Sequence, residues 1–168
     1  MFQNWLQMRK NNQRISKNTF RQAVILTPEV QNCFCSGKNA IPNKDQSKIE
    51  LVEPRKCGGS LFIDQCLTNQ GLYQNDNRWD YAIDYNGEVF FFEVHTANTG
   101  EVSTVLNKLA WLKDWLNNKA PEINALKAKA KTPFYWVQSN GYHITRNSRQ
   151  ERAVLQKGIK PISKLVLK

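Results

Sequence analysis

Residues 78–95 read Arg78-Trp-Asp-Tyr-Ala-Ile-Asp-Tyr-Asn-Gly-Glu-Val-Phe-Phe-Phe-Glu-Val-His95, two β-rich runs joined by Asn86-Gly87. Asn-Gly is the strongest short hairpin signal, because a type I′ turn needs positive φ at both central positions. A two-residue loop dictates the register: Tyr85 opposes Glu88, Asp84 opposes Val89, Ile83 opposes Phe90, Ala82 opposes Phe91 and Tyr81 opposes Phe92. Asp80 then falls opposite Glu93. Alternation places Asp80, Ala82, Asp84, Phe91, Glu93 and His95 on one face of the hairpin. Counted from the turn, Asp80–Glu93 is a non-hydrogen-bonded pair, whose side chains approach most closely. Directly opposed carboxylates cost stability unless something cationic sits between them, and a divalent metal ion is the simplest such cation.

Outward from this hairpin the hydrophobic period changes. Val102, Val105, Leu106, Leu109, Leu112, Trp115 and Leu116 recur at helical spacing. Pro121 opens a second helical piece with Ile123, Leu126 and Ala130 inward and Lys127, Lys129 and Lys131 outward. Phe134–Val137 reads as a strand buried on both faces, closed by Asn140-Gly141, with Tyr142–Ile144 returning as an edge strand. Ser148–Gln156 reads as a helix. Strand, strand, helix, strand, helix from residue 79 onward implies an α/β layered fold: a mixed sheet around a central antiparallel hairpin, flanked by helices.

Upstream the signals are thinner. Phe2, Trp5 and Leu6, then Phe20, Ala23 and Val24, show helical spacing. Thr27-Pro28-Glu29 resembles a fresh helix start, residues 36–48 a turn-rich loop, and Ile49–Val52 a short strand. Ser60–Asn69 fits either a strand or a short helix. The five tryptophans fit core positions better than base-stacking platforms.

The 168 residues are sufficient for one domain with its own core. The formal charge is +10 with a pI near 9.6, unevenly distributed. Residues 1–21 hold five cations and no acid, and residues 146–168 hold three Arg and four Lys against one Glu. Residues 76–101 hold six acids against Arg78. Basic ends around an acidic centre suit an anionic polymer held about a metal site. No leader-like or membrane-spanning run is present, so a cytoplasmic protein is expected, with reduced thiols. Cys33, Cys35, Cys57 and Cys66 lack zinc-knuckle spacing and read as free, mostly buried thiols. There is no P-loop, Gly-x-Gly-x-x-Gly, His-Glu-x-x-His or Gly-x-Ser-x-Gly.

Asp80 early in one strand, Glu93-Val-His95 at the end of the next, a helix from about residue 102 and the strand at Phe134–Val137 resemble the PD-(D/E)XK nuclease superfamily, the restriction-endonuclease-like fold. The resemblance covers roughly residues 60–140, outside a thinly assigned 1–59 and the basic segment 146–168. It implies that Asp80, Glu93 and the Val94 carbonyl hold Mg²⁺ or Mn²⁺, for hydrolysis of a phosphodiester in nucleic acid, DNA more than RNA. A homodimer is compatible with cutting two strands.

The departure is His95, where the family has lysine. A neutral imidazole accepts a proton or ligates a metal but is no permanent cation. Some members recruit a lysine from the following helix, and Lys108, on the flank of its apolar stripe, occupies that place. Asp84, about 13 Å along the strand from Asp80, reads as a solvated residue near the turn. The competing readings are a nuclease-like domain without catalysis that binds nucleic acid or a protein, and a structural subunit whose charge is incidental.

Overall fold

The structure is a computed structural model that describes residues 19–129 and 131–168. Strands β3 (Tyr81–Tyr85) and β4 (Glu88–Asn98) form the antiparallel hairpin, with Asn86 at φ 56 and Gly87 at φ 81. The five pairs from Tyr85↔Glu88 to Tyr81↔Phe92 are those that a two-residue loop requires. Every residue of β3 is buried, so this is a central strand with both faces covered. Strand β2 (Cys57–Phe62) runs antiparallel to β3, and β5 (Phe134–His143) runs parallel to β4. The sheet order is β2-β3-β4-β5. A parallel neighbour requires a crossover, which α4 (Val102–Asn118) and the single turn α5 (Pro121–Asn124) supply.

Alternation sends Ala82, Val89 and Phe91 into one core and Tyr81, Ile83, Tyr85, Phe90 and Phe92 into the other. The first core is covered by helices. These are α1 (Phe20–Ile25), α3 (Ile63–Asn69), α4, α5 and α6 (Arg149–Gln156), the last capped by the Ser148 hydroxyl on Glu151 N at 3.0 Å. The second is covered by Ile41 and a two-stranded parallel sheet of β1 (Ile49–Leu51) and β6 (Leu165–Leu167). Among the described residues no helix is long and apolar enough to cross a membrane.

Several local expectations differ from the structure, each for a tertiary reason. Thr27-Pro28 starts no helix. The Thr27 hydroxyl donates back to Ala23 O at 2.8 Å, ending α1, and the Glu29 carboxylate accepts from Trp115 Nε1 at 2.8 Å and the Tyr73 hydroxyl at 3.0 Å. Residues 36–48 include a turn of helix, α2 (Asn43–Gln46). Ser60–Asn69 is both alternatives in succession, strand to Phe62 and helix from Ile63. Asn140-Gly141 does not end β5; it is absorbed in a register shift between His95 and Ala97, after which Ala97 pairs with Tyr142. Gly141 takes φ 81 there, a conformation open to glycine without a Cβ penalty. Phe134 and Tyr135 are half-buried rather than enclosed, because β5 is an edge strand of this sheet. The basic C-terminal segment contributes β6. Trp79, Trp115 and Trp136 are fully buried core. Phe2, Trp5, Leu6 and Ala130 lie outside the described residues.

The free-thiol expectation is corrected for two of the four cysteines. Cys33 and Cys66 form a disulfide with Cα atoms 6.1 Å apart, tying the turns after α1 to α3. Cys35 and Cys57 are free and half-buried. With its partners 33 positions apart in sequence, the bridge restricts the unfolded chain by about 3–4 kcal/mol on loop-entropy grounds. Reduction, or the Cys33→Ser/Cys66→Ser double variant, is expected to lower the denaturant-unfolding free energy by a few kcal/mol. Cys35→Ser leaves the redox dependence intact.

A candidate acidic site closed by a lysine

The β3–β4 ladder stops at Tyr81↔Phe92, and Asp80 meets Glu93 just beyond it. Two reciprocal bonds replace the ladder there. Asp80 N donates to Glu93 Oε2 at 2.9 Å, and Val94 N donates to Asp80 Oδ2 at 3.3 Å. Asp80 is held from behind as well, because its carbonyl accepts from Ile63 N at 2.8 Å, where β2 turns into α3. Glu93 has no exposed surface. The two carboxylates therefore sit side by side, Glu93 enclosed and Asp80 largely so, an arrangement that is costly without a cation.

That cation is Lys108. Its Nζ bonds Glu93 Oε1 and lies 3.8 Å from Asp80 Oδ1. Lys108 follows Val105 and precedes Leu109 and Leu112, the buried stripe of α4. From the flank of that stripe its aliphatic stem crosses apolar ground to bring the ammonium under the strand end. Burial pulls the Lys108 ammonium down, but the Glu93 and Asp80 charges more than compensate, leaving it above its ordinary value. The Asp80 carboxyl is pushed well up, first by burial and then by the Glu93 charge, with Lys108 opposing both. The electrostatic conflict read from the hairpin is thus met in part by a residue of the chain itself, and the Glu93 charge still holds the Asp80 carboxyl up.

His95, two residues beyond Glu93 on the same face, joins the cluster. Its Nδ1 is 3.5 Å from Glu93 Oε1, and its Nε2 is 2.7 Å from Glu101 Oε2. The neighbouring Glu93 carboxylate is the main influence raising its pKa; burial opposes this and Glu101 adds to it. Trp136 Nε1 holds the His95 carbonyl at 3.1 Å. Glu101 was missed as a site residue. It sits in the 3-10 turn Thr99–Glu101, fixed by its backbone N–H on Asn98 Oδ1 at 3.1 Å. Its only trace in the sequence is membership of the acidic stretch. The four residues singled out beforehand, Asp80, Glu93, His95 and Lys108, are brought together.

These groups form the floor of a cleft of about 540 Å³. Val94 lines it. The same cleft is lined by Lys44 and Lys48, from and just beyond α2, by Phe62 at the end of β2 and by Asp64 of α3. Asp64 is paired with Arg78 Nε at 2.6 Å. Among the described residues no three His, Cys, Asp or Glu side chains form a ready ligand group. His143 stands apart, its Nε2 on Asn140 O at 2.8 Å.

Asp84 corrects the expectation of a solvated side chain. It is 8 % exposed, and its Oδ1 has no partner among the described residues. Strand β2 covers it: a Cβ on Gly58 would lie 1.8 Å from Asp84 Oδ2, so only glycine fits there. Burial pushes the Asp84 carboxyl up to about 6, although the Gly87 backbone N–H favours the charged form.

Comparison with protein-family models, with curated proteins and with solved structures returned no match.

Two measurements check the electrostatics. Lys108→Met strands a buried carboxylate and is expected to cost about 3–5 kcal/mol, with part of that returned when Glu93→Gln is added, read as coupling in a double-mutant cycle by urea unfolding. For Asp84 the folded pKa lies above the unfolded one, so its contribution is fully present below about pH 4 and is lost as pH rises through about 6. Asp84→Asn should flatten that slope and be more stable than the parent at pH 7.5, by on the order of 2 kcal/mol.

Proposed function

We propose that this chain is a divalent-metal-dependent nuclease of the restriction-endonuclease-like kind, hydrolysing phosphodiester bonds in nucleic acid, DNA more than RNA. The observation that carries the reading is the meeting of Asp80, Glu93 and Lys108 at one recessed strand end. An acid, a second acid opposite it and a lysine from the next helix are the parts such a site needs. The order β2-β3-β4 antiparallel, then α4, then β5 parallel to β4 supports the same reading. The basic ends fit a polyanionic partner. Cytoplasmic residence belongs to this reading too, although cytosolic reductants would work against the Cys33–Cys66 bridge.

The donor set fits a hard cation. Asp80 and Glu93 offer carboxylate oxygens and Val94 a carbonyl, and Mg²⁺ is commonly held by one or two carboxylates, with water and substrate phosphate completing its shell. When bound, such an ion supplies Lewis-acid polarisation of a phosphoryl oxygen and a more acidic water. The chain's own residues supply the rest. Lys108 places a positive charge beside the carboxylates, where the phosphate oxygens arrive. His95, oriented by Glu101, stands next to Glu93 and is placed to accept a proton from water or pass one on. Hydrolysis breaks one P–O bond, adding hydroxide to phosphorus and a proton to the leaving oxygen.

A second reading is favoured by one observation. Lys108 already supplies a counter-charge to the acidic pair, and His95 stands where the family has lysine, so a binding domain without catalysis is self-consistent. Calorimetry with Mn²⁺ and Mg²⁺ decides between the two. Micromolar binding by the parent, absent in Glu93→Ala and Asp80→Ala, together with Mn²⁺-dependent cleavage lost by at least a hundredfold in the same variants, is the expected outcome. A parent that takes up no ion and cuts no substrate, while still binding nucleic acid with steep salt dependence, establishes the second reading instead.

A further inference from the structure

The cleft is lined by more than its acids: beside Asp45, Asp64, Asp80 and Glu93 it carries an aromatic ring and two further lysines. Phe62, the last residue of β2, is half-buried and lines the cleft. Its ring packs against Tyr81 at 4.6 Å between centroids, and Tyr81 in turn packs against Phe92 at 4.9 Å. Phe62 therefore rests on an aromatic column rooted in the second core, and the column holds it in place. Lys44 and Lys48 line the same cleft. Asp45, the one acid in the stretch from Asn43 to Lys48, bonds the Tyr81 hydroxyl. That bond pins the lysine-bearing turn to the base of the same column.

We propose that this cleft takes single-stranded nucleic acid, an unpaired end or flap rather than intact duplex, with Phe62 stacking one base and Lys44 and Lys48 holding the backbone beside it. The inference rests on the nuclease reading and adds the substrate's strandedness to it. Three features carry it. An aromatic platform binds only a base whose face is free, and within a duplex both faces are already stacked. The carboxylates are recessed, with Glu93 showing no exposed surface and the Asp80 side chain 15 %. The backbone must therefore enter the cleft to reach them. The volume of about 540 Å³ is that of a site for one drug-sized ligand, room for one or two nucleotides and not for two paired strands. Lysines beside an aromatic ring are the usual means of tracking an extended strand without reading its sequence.

The test measures fluorescence anisotropy of one labelled oligonucleotide, single-stranded and annealed to its complement, without added divalent ion so that the probe is not consumed. Parallel cleavage of both forms is followed in Mn²⁺. The parent is expected to bind the single strand at least tenfold more tightly than the duplex. Phe62→Leu, which keeps apolar volume against Tyr81, should lose about tenfold on the single strand and little on the duplex, whereas Phe62→Tyr keeps the preference. Lys44→Ala/Lys48→Ala should lower the slope of log K against log salt by about 1.4, two single-strand phosphate contacts. Duplex binding equal to or tighter than single-strand binding, or a Phe62→Leu variant indistinguishable from a parent that cleaves, overturns the single-strand assignment and leaves the nuclease reading standing. A parent that neither binds nor cuts either form overturns both.

Discussion

A turn of two residues with positive φ at both leaves β3 and β4 a single way to pair, and the remaining architecture follows from that register. Because the side-chain period of a strand is two, a slip by one residue would exchange the two cores. Phe90 and Phe92 would face α4, while Phe91 and Glu93 would face β1 and β6. As it is, Val89 and Phe91 meet the helical stripe of Val105, Leu109 and Leu112 on one side. Tyr81, Ile83 and Phe92 fill the other. The same register carries Glu93 beside Asp80 and toward α4, where Lys108 can reach it. The position of the acidic cluster is thus a consequence of Asn86-Gly87, the turn that ends six residues before Glu93.

Placing two carboxylates, an ammonium and an imidazole at the end of a central hairpin is poor economy for stability alone. Apolar residues of similar size would pack there without the desolvation cost. The reciprocal backbone bonds of Asp80 and Glu93, the Lys108 contact and the Glu101–His95 bond offset that cost locally. A cluster whose members satisfy one another this fully is rigid, which suits groups that must be in place before a ligand arrives. Asp84 lacks such compensation, with one oxygen unpartnered under Gly58, and it lies outside the cleft that the other acids share.

Much of this was legible beforehand. The hairpin, its register and the apposition of Asp80 and Glu93 follow from turn chemistry. The buried stripe of α4 follows from its period, and the stretch Ser148–Gln156 reads as the helix that α6 forms. The misread segments share one physical origin, since their local signals were overruled by partners distant in sequence. Glu29 looks like a first-turn acid but is claimed by Trp115, eighty-six residues away in sequence. Asn140-Gly141 has the composition of a turn, yet β4 continues beside it and the strand runs through as a bulge. Glu101 gave no sign of its role, because a loop carboxylate six residues after a histidine has no periodic signature.

The amino-acid sequence by itself determined the central hairpin, the face that each of its side chains takes and the order of strand, helix and strand after it. These depend on backbone sterics and on hydrophobic period, both local properties. Only the tertiary structure decided that Lys108 closes the acidic pair, that Cys33 meets Cys66, that Asp84 is buried and that Phe62 and two lysines line one cleft with the carboxylates. Each of these is a contact between segments whose separation in space depends on how the layers stack, and no spacing along the chain encodes it.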